Sequence, residues 1–426
     1  MKSYNSRIAD GLLLRKLAGK GAVLIEGAKW CGKTTTAEQS AKSVVYLSDP
    51  LQLQRYTIDA NMSHEGLLSG DTPHLIDEWQ LIPKIWDSIR FAVDHRGEMG
   101  QFILTGSAVP ANIDEINHTG TGRIARLKMR PMTLWESKES TGTVSLHNLF
   151  ENKDDFSGND ANLSLEDIAF IMCRGGWPQA TTMHNKQIAL DQAFDYVNAV
   201  AESDLTRVDG VKKDANRVRR ILKSYARNQG TQTSLSVLLD DIKINENETV
   251  SEPTLGTYLT ALQKIYLIED MPAWNPNLRS KTAIRSANTR YFVDPSIATA
   301  ALGIGPTDLL NDLNTMGLLF ETMAVRDLRV YAEPIDGMIY HYRDKNSLEC
   351  DAVVHLRNGK YGLIEIKLGG EKLIEEGANT LNTLHKKIDT NKMNEPSFLM
   401  VLTANGSYPY RRKDGVYVVP IGCLKP

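Results

Sequence analysis

Short apolar runs alternate with amphipathic segments in the first 110 residues. AVLIE at 22–26, HLID at 74–77 and FILTG at 102–106 have the length of buried strands and are followed by glycine or polar residues. TTAEQSAK, after the first run, predicts a helix. Because strands that alternate with helices form parallel sheets, we predict an α/β fold with a parallel sheet.

Residues 166–227 read as helices and fit a small helical lid against the α/β core. The polar stretch NKDDFSGNDANLS precedes them and predicts an exposed loop or linker. Three helices follow, DANRVRRILKSYARNQG, TSLSVLLDDI and SEPTLGTYLTALQKIYLI, the last capped by Ser251 with Pro253 in its first turn. A hairpin-like stretch comes next (LIEDMPAW, then ANTRYFVD). This order predicts a winged helix.

A DNA-binding winged helix places its third helix in the major groove. The side chains expected to face outwards are Thr254, Thr257, Tyr258 and Lys264. The helix at 214–227 would contact phosphates. The local basic residues are Arg217, Arg219, Arg220, Lys223, Arg227, Arg279, Lys281 and Arg285. The alternative is a winged helix that serves only as a spacer.

Two strands, DAVVHL and YGLIEIKL, are predicted around a turn at Arg357–Gly359. Glu365 and Lys367 are two positions apart and share one strand face. With Asp351 they match the D…(D/E)xK pattern of the PD-(D/E)XK nuclease fold, in which carboxylates hold Mg²⁺ and the lysine helps to activate water. Glu321, on an upstream helix, is a candidate third ligand, as such nucleases often carry an acid there. The alternative is an inactive domain that binds DNA or packs the assembly.

The register of this hairpin decides whether the acids meet. A two-residue turn would pair Ala352 with Glu365 and turn Asp351 to the opposite face. A three-residue loop with Gly359 in the left-handed region pairs Asp351 with Glu365. We predict the second register, or a bulge with the same effect.

Composition narrows the function classes. The net charge of −3 gives no whole-chain nucleic-acid signal, so a DNA contact would be local. The four cysteines are far apart, which argues against zinc and indicates a reducing cytoplasm. The first residues have charges among their apolar positions, so we expect no signal peptide. The sequence has no apolar run of about 18 residues, so we expect no membrane partner.

GAKWCGKT at 27–34 lies between the first strand and the first helix. This is GxxxxGK[ST] in the context that a P-loop requires. Lys33 would reach the β- and γ-phosphates of ATP, and the Thr34 hydroxyl would ligate Mg²⁺. The residues assigned to ATP binding are Gly27, Ala28, Lys29, Trp30, Cys31, Gly32, Lys33, Thr34 and Thr35.

Polar residues end the next two strands. Asp77 would hold Mg²⁺ through water, and Glu78 would orient or deprotonate the attacking water. Thr105 and Ser107 stand where ligands bind in open α/β sheets, and one of them could sense the γ-phosphate. The alternative for these two is ordinary capping of a strand end.

Several motifs together resemble one ATPase family. GAKWCGKTT, LIDEWQ, FILTGS, GRIARLKMRPMTLWE and GGWP are similar to the AAA+-type ATPases of bacteria and archaea with a C-terminal domain of unknown function, over nearly the whole chain. The resemblance implies that Arg123, or secondly Arg126, is an arginine finger acting in trans, and hence a homo-oligomer such as a ring. It also implies adenine contacts near Arg7 and Ile8. The alternative is that both arginines make salt bridges or phosphate contacts within one subunit.

Three functions stay open on this basis. The first is an ATPase coupled to DNA binding or remodelling, the second a nuclease licensed by ATP, and the third a nucleotide-dependent switch without DNA. The predicted domains are an AAA+ core at 1–140, a helical lid or linker at 141–212, the winged helix at 213–300 and the nuclease-like domain at 301–426.

Overall fold

The computed structural model describes residues 4–62, 65–110, 116, 118–153, 156, 160–161, 163–205, 213–275 and 287–426. The chain forms two compact units. One comprises Met1–Pro131, Val200–Asp214 and Thr260–Leu267, and the other comprises Met132–Ala199, Ala215–Leu259 and Ile268–Pro426. The four-domain division stays a prediction.

The first unit contains a five-stranded sheet in the order β2-β3-β4-β1-β5. All its pairs are parallel, which confirms the predicted parallel sheet and brings the carboxyl ends of the strands to one edge. Its elements are α1 (Ile8–Leu17), β1 (Ala22–Glu26), α2 (Lys33–Glu38), β2 (Ser43–Tyr46), α3 (Leu53–Met62), β3 (His74–Asp77), α4 (Ile85–Arg96), β4 (Phe102–Gly106) and β5 (Ile124–Lys128).

The central strands of this sheet are buried on both faces. All residues of β3 and β4 are buried, as expected where helices cover a parallel sheet. One face packs into an apolar cluster with Trp79, Trp86 and Ile89. This packing fixes the strand ends that carry the polar site residues.

The second unit is mostly helical before residue 337 and ends in a sheet. Its helices are α5 (Leu146–Phe150), α6 (Leu165–Arg174), α7 (Pro178–Thr181), α8 (Lys186–Ala199), α9 (Ala215–Arg227), α10 (Leu235–Asn245), α11 (Glu252–Lys264, which continues into the first unit), α12 (Pro295–Leu302), α13 (Pro306–Asn311), α14 (Leu313–Ala332) and α15 (Glu371–Lys387). Within the described ranges, no helix is both long and apolar enough to cross a bilayer.

The three helices and the hairpin predicted between 213 and 300 are present. The Ser251 hydroxyl accepts the backbone N–H of Thr254 at 3.4 Å, so the predicted cap of α11 is confirmed. The hairpin pairs Ile268 with Phe292 in antiparallel fashion. Its basic residues Arg279, Lys281 and Arg285 lie outside the described residues.

The outward orientation predicted for Tyr258 is wrong. Tyr258 is buried, as are Leu255 and Leu262. Residues three and four positions apart share a helix face, so these two leucines place Tyr258 on the packed side of α11. Thr257, by contrast, is exposed.

A six-stranded mixed sheet closes the second unit, in the order β11-β12-β10-β9-β8-β7. Strands β9, β10 and β12 are parallel, and α15 packs on β9 and β10. The strands of this unit are β6 (Val144–Ser145), β7 (Gly337–Arg343), β8 (Glu349–Leu356), β9 (Tyr361–Lys367), β10 (Phe398–Thr403), β11 (Tyr410–Arg411), β12 (Tyr417–Pro420) and β13 (Leu424–Lys425), with β13 paired to β6.

A buried ion network connects distant parts of the second unit. Arg326, 2% exposed, contacts the carboxylates of Asp294 and Asp327, each at 2.7 Å. Asp294 also accepts the backbone N–H of Gly176, and Asp327 accepts that of Leu134, both at 3.0 Å. The segments GGWP and TLWE are therefore held by the same three charged side chains.

Arg326→Leu should lower the free energy of unfolding of the second unit by about 3–5 kcal/mol, because two carboxylates would lose their buried cation. Urea denaturation monitored by circular dichroism measures the change. Arg343→Leu is the control, since the pair of Arg343 with Glu349 is about half exposed. Similar losses in the two variants would contradict the role of the network.

Candidate functional site

Tight backbone contacts shape the phosphate loop. A Cβ on Gly27 would lie 2.0 Å from the carbonyl oxygen of Met129, so no side chain fits at this position. Gly32 has a φ of 99°, in the left-handed region that favours glycine, and α2 begins at the next residue. The backbone path therefore requires both glycines of the motif.

Two basic side chains brace the loop. Lys33, 4% exposed, donates to the carbonyl oxygen of Ala28 at 2.8 Å. Arg7 donates to the carbonyl oxygens of Cys31 and Arg130, both at 2.8 Å. No local sequence pattern connects Arg7 to a loop 24 positions away, so its bracing contacts were not predicted.

The other loop residues reach outwards. Lys29 pairs at 2.5 Å with Asp204, which belongs to a π-helical turn of the same unit. Trp30 is largely exposed, as is Thr35, whose carbonyl oxygen accepts the Gln39 amide. The Lys29 ammonium, assigned to ATP from the motif, is therefore bound to a carboxylate in this structure.

Asp77 joins the phosphate loop to the neighbouring strands. The hydroxyls of Thr34 and Thr105 both donate to its Oδ1, each at 2.6 Å. Thr34 lies in the first turn of α2, and Thr105 lies on β4 beside β3. The structure thus brings together the two residues assigned to Mg²⁺ and one candidate γ-phosphate sensor. Hydroxyl and carboxylate oxygens suit this ion.

Glu78 is held by a second set of hydrogen bonds. Its backbone N–H donates to the Thr105 hydroxyl at 3.0 Å, and its Oε2 accepts the Ser107 hydroxyl at 2.8 Å and the Gln80 amide. Its φ is 57°, a conformation that costs a non-glycine residue about 1–3 kcal/mol and often marks a functional site. Gln80 was missed, although it lies only two positions after Glu78.

Both candidate arginine fingers make salt bridges within the chain. Arg123 donates to Asp94 at 2.7 Å and holds the pKa of that carboxyl below its ordinary value. Arg126 donates at 2.8 Å to Glu26, the residue before the loop. The two arginine side chains are 48% and 58% exposed, respectively, and such surface pairs are weak, so either arginine can exchange its partner.

In the second unit, the hairpin of β8 and β9 has the register that the sequence predicts. Ala352 pairs with Ile364, which sets Asp351 opposite Glu365. Gly359 has a φ of 84° in the predicted three-residue loop, and Leu356 donates to the carbonyl oxygen of Lys360 at 2.9 Å. The acids therefore share one face of the sheet.

Lys367 lies between the two acids. Its ammonium is 3.1 Å from Oδ2 of Asp351 and 2.7 Å from Oε2 of Glu365. Burial alone would lower the pKa of Lys367, but the two carboxylates outweigh it and raise that pKa. Burial and the charge of Asp351 raise the pKa of the Glu365 carboxyl, and Lys367 offsets only part of this rise. We call these three residues the acid–lysine cluster.

Glu321 lies beside this cluster. It lines the same cavity of about 140 Å³ as Asp351, and its Oε1 accepts the Tyr291 hydroxyl. Burial, followed by the charge of Asp351, raises the pKa of Glu321 well above its ordinary value. Tyr291 was not predicted, since only the folded hairpin brings it to Glu321.

The cluster is not arranged as a ready metal site. Among the residues that the structure describes, no group of three or more His, Cys, Asp or Glu side chains could hold a metal ion. One atom nevertheless fits a cation, because Oε1 of Glu365 is buried without a hydrogen-bond partner.

The basic helix predicted to contact DNA is largely neutralised. Arg217 and Arg220 both pair with Glu248, at 2.7 and 2.8 Å. Arg227 pairs with Asp241 at 2.8 Å. The positive charge available to phosphates is therefore smaller than the sequence of α9 suggests.

Comparison with known families divides the chain into three matched regions. Residues 19–138 match an AAA domain. Residues 165–308 match a domain of unknown function (DUF8612), and residues 316–424 match another (DUF4143). The first match includes the phosphate loop, Asp77 and Glu78, and it supports an AAA-type P-loop ATPase.

The relatives that match over most of the chain are distant. Uncharacterized proteins of Mycobacterium bovis and Mycobacterium tuberculosis are each 24% identical over 365 residues, which cover 85% of this chain and 73% of theirs. The Walker-type ATPase of Pyrococcus abyssi is 16% identical, covers 70% of this chain and 96% of its own, and has a TM-score of 0.44. A STAND protein of Pyrococcus horikoshii is 14% identical. The match covers 79% of this chain and 50% of that protein, with a TM-score of 0.21.

Glu365→Gln should change how stability depends on pH. The pKa of Glu365 rises from 4.5 to about 8 on folding. Between these two values the folded chain keeps a proton on Glu365 that the unfolded chain releases. Glu365 therefore lowers the free energy of unfolding as the pH rises from about 4.5 to about 8. The free energy of unfolding of the glutamine variant, relative to wild type, should increase from about pH 5 to about pH 8.

Urea titrations at the two pH values measure this change. Glu349→Gln, at a half-exposed carboxylate, is the control and should show no such trend. If the free energies of unfolding of Glu365→Gln and wild type differ by the same amount at both pH values, the raised pKa of Glu365 is contradicted.

Proposed function

We propose that this protein hydrolyses ATP with Mg²⁺ and couples hydrolysis to DNA. The observation that carries the ATPase part is the joint arrangement at two adjacent strand ends. Asp77 accepts the hydroxyls of Thr34 and Thr105, and Glu78 is held beside it by Ser107. Metal-binding oxygens and a positioned carboxylate are what a hydrolytic P-loop protein needs.

Each residue has a role in this proposal. Thr34 and Asp77 would hold Mg²⁺, which when bound neutralises charge on the β- and γ-phosphates. Lys33 would leave the carbonyl oxygen of Ala28 for a phosphate oxygen. Ser107 and Gln80 fix Oε2 of Glu78. The other carboxylate oxygen of Glu78, Oε1, has no partner among the described residues and can therefore orient the attacking water.

An oligomer completes the proposed site. Arg123 would leave Asp94 and act in trans on the ATP of a neighbouring subunit, with Arg126 as the second candidate. The exposure of both arginine side chains supports this exchange. The predicted cytoplasmic location is part of the proposal, supported by four free and buried thiols.

Lys33→Ala should abolish ATP binding, whereas Glu78→Gln should keep it and slow turnover at least about 100-fold, because only a positioned base is lost. Turnover and binding of a fluorescent ATP analogue measure the two steps. Glu98→Gln, an exposed carboxylate of the same unit, is the control. Near-normal turnover of Glu78→Gln would remove Glu78 from the proposed mechanism.

A second candidate function is metal-dependent cleavage of DNA by a nuclease-like domain. The partnerless Oε1 of Glu365 favours it, and carboxylate oxygens are ligands that Mg²⁺ prefers. Asp351 and Glu365 would hold the ion, with Glu321 near, and the ion when bound would polarise the phosphate. Lys367 would release its carboxylates and face the substrate.

The third candidate function, a nucleotide-dependent switch without DNA, requires an ATPase rate that DNA does not change.

Lys367→Met should tighten Mn²⁺ binding and abolish cleavage, because the ammonium competes with a metal ion for the same carboxylates but assists the reaction. Isothermal titration calorimetry and a plasmid-nicking assay measure the two effects. Lys345→Met, also in the second unit, is the control. If Lys367→Met binds Mn²⁺ more tightly but the wild-type protein does not nick the plasmid, the domain binds metal without cleaving DNA. Unchanged Mn²⁺ binding would contradict the competition between Lys367 and the metal ion.

A further inference from the structure

A cavity of about 250 Å³ lies against one face of the five-stranded sheet, and the described residues that line it all belong to the first unit. Its apolar wall includes Leu24 of β1 and the indole rings of Trp79 and Trp86, which are at most 4% exposed. The two rings pack against each other with their centroids 4.8 Å apart. Because a dry apolar cavity of about 150 Å³ can hold benzene, this cavity has room for a molecule of two fused rings.

One polar side chain of the cavity has an open position for a ligand. Oε2 of Glu26 accepts the guanidinium of Arg126 at 2.8 Å and the hydroxyl of Tyr266 at 3.0 Å, and all three residues line the cavity. Oε1 of Glu26 has no partner among the residues that the structure describes. Because Arg126 balances the charge of Glu26, the cavity favours an uncharged molecule, and Oε1 can accept an N–H or O–H group from it.

Three lining residues are the chain neighbours of residues in the proposed ATP site. They are Glu26, Trp79 and Gly106, which adjoin Gly27, Glu78 and Ser107, respectively. A Cβ on Gly106 would lie 2.9 Å from Nε1 of Trp79, so the indole packs directly against the end of β4. A molecule in the cavity would therefore contact all three strand ends and restrict the movements that ATP hydrolysis needs there.

We propose that this cavity binds an uncharged aromatic molecule of one or two rings that carries an N–H or O–H group, and that the bound molecule slows ATP turnover. The rings would pack against Trp79 and Trp86, and the polar hydrogen would go to Oε1 of Glu26. A molecule without a donor would cover this oxygen and leave it unpaired, which costs free energy. The binding part stands by itself, whereas the regulatory part rests on the proposed ATPase.

Isothermal titration calorimetry tests the binding part with the full chain, without nucleotide and with indole as the probe. Indole should bind with a Kd below about 1 mM. Benzofuran, which has the same shape but no N–H, should bind at least about tenfold more weakly. Val109→Phe and Thr119→Phe each add a ring at a lining position and should abolish indole binding. Val237→Phe, at an exposed valine of α10, is the matched control, and thermal melts confirm folding.

Steady-state ATP hydrolysis tests the regulatory part. Saturating indole should lower the kcat of wild type and of Val237→Phe at least about fivefold, as expected for coupled sites, and should not change that of Val109→Phe. A non-hydrolysable ATP analogue should leave indole bound, because the two molecules occupy separate sites.

Each outcome decides one point. If wild type binds no indole, or binds benzofuran equally well, the cavity inference is wrong and the proposed ATPase stands. Complete displacement of indole by the ATP analogue would assign the cavity to the nucleotide and overturn a separate site. Indole binding that disappears as the protein concentration rises would make a side chain of a second copy the occupant. Indole binding without any change in kcat would overturn the regulatory part, and indole binding by a protein that hydrolyses no ATP would overturn the proposed ATPase alone.

Discussion

One carboxylate oxygen connects the phosphate loop to the sheet behind it. Oδ1 of Asp77 accepts the hydroxyls of Thr34, at the start of α2, and Thr105, at the end of β4. A hydrogen bond to a charged group typically contributes about 1.5–3 kcal/mol, so two such bonds set the loop firmly against the strand ends. The backbone of Glu78 bonds to the same Thr105 hydroxyl. A substitution of Asp77 should therefore alter the position of the phosphate loop and of Glu78, the proposed base, together.

Charge pairing also organises the second unit. Arg326 is enclosed by Asp294 and Asp327, which in turn hold the GGWP and TLWE backbones. Lys367 similarly pairs with Asp351 and with one oxygen of Glu365 in the acid–lysine cluster. The first network is fully paired and stabilises the fold, whereas the second leaves Oε1 of Glu365 without a partner. That difference separates a structural network from a candidate site.

Local sequence signals predicted the features that depend on short-range geometry. The strand, glycine loop and helix around Gly27 follow from backbone requirements within a few residues. The hairpin register followed from counting a three-residue loop that ends in Gly359. Periodicity failed where a distant partner decides the outcome. Helix α9 reads as basic, but two of its arginines, Arg217 and Arg220, meet Glu248 more than 25 positions away. Tyr258 turns inwards with its leucine neighbours.

The kinetics of Thr105→Ser and Thr105→Val test the central claim most directly, because only the first keeps the hydroxyl that Asp77 and Glu78 share. Steady-state ATP hydrolysis should show kcat near wild type for the serine variant. For the valine variant kcat should fall at least about tenfold with little change in KM, as expected for a lost hydrogen bond that positions catalytic groups. Equal kcat values for the two variants would contradict the account.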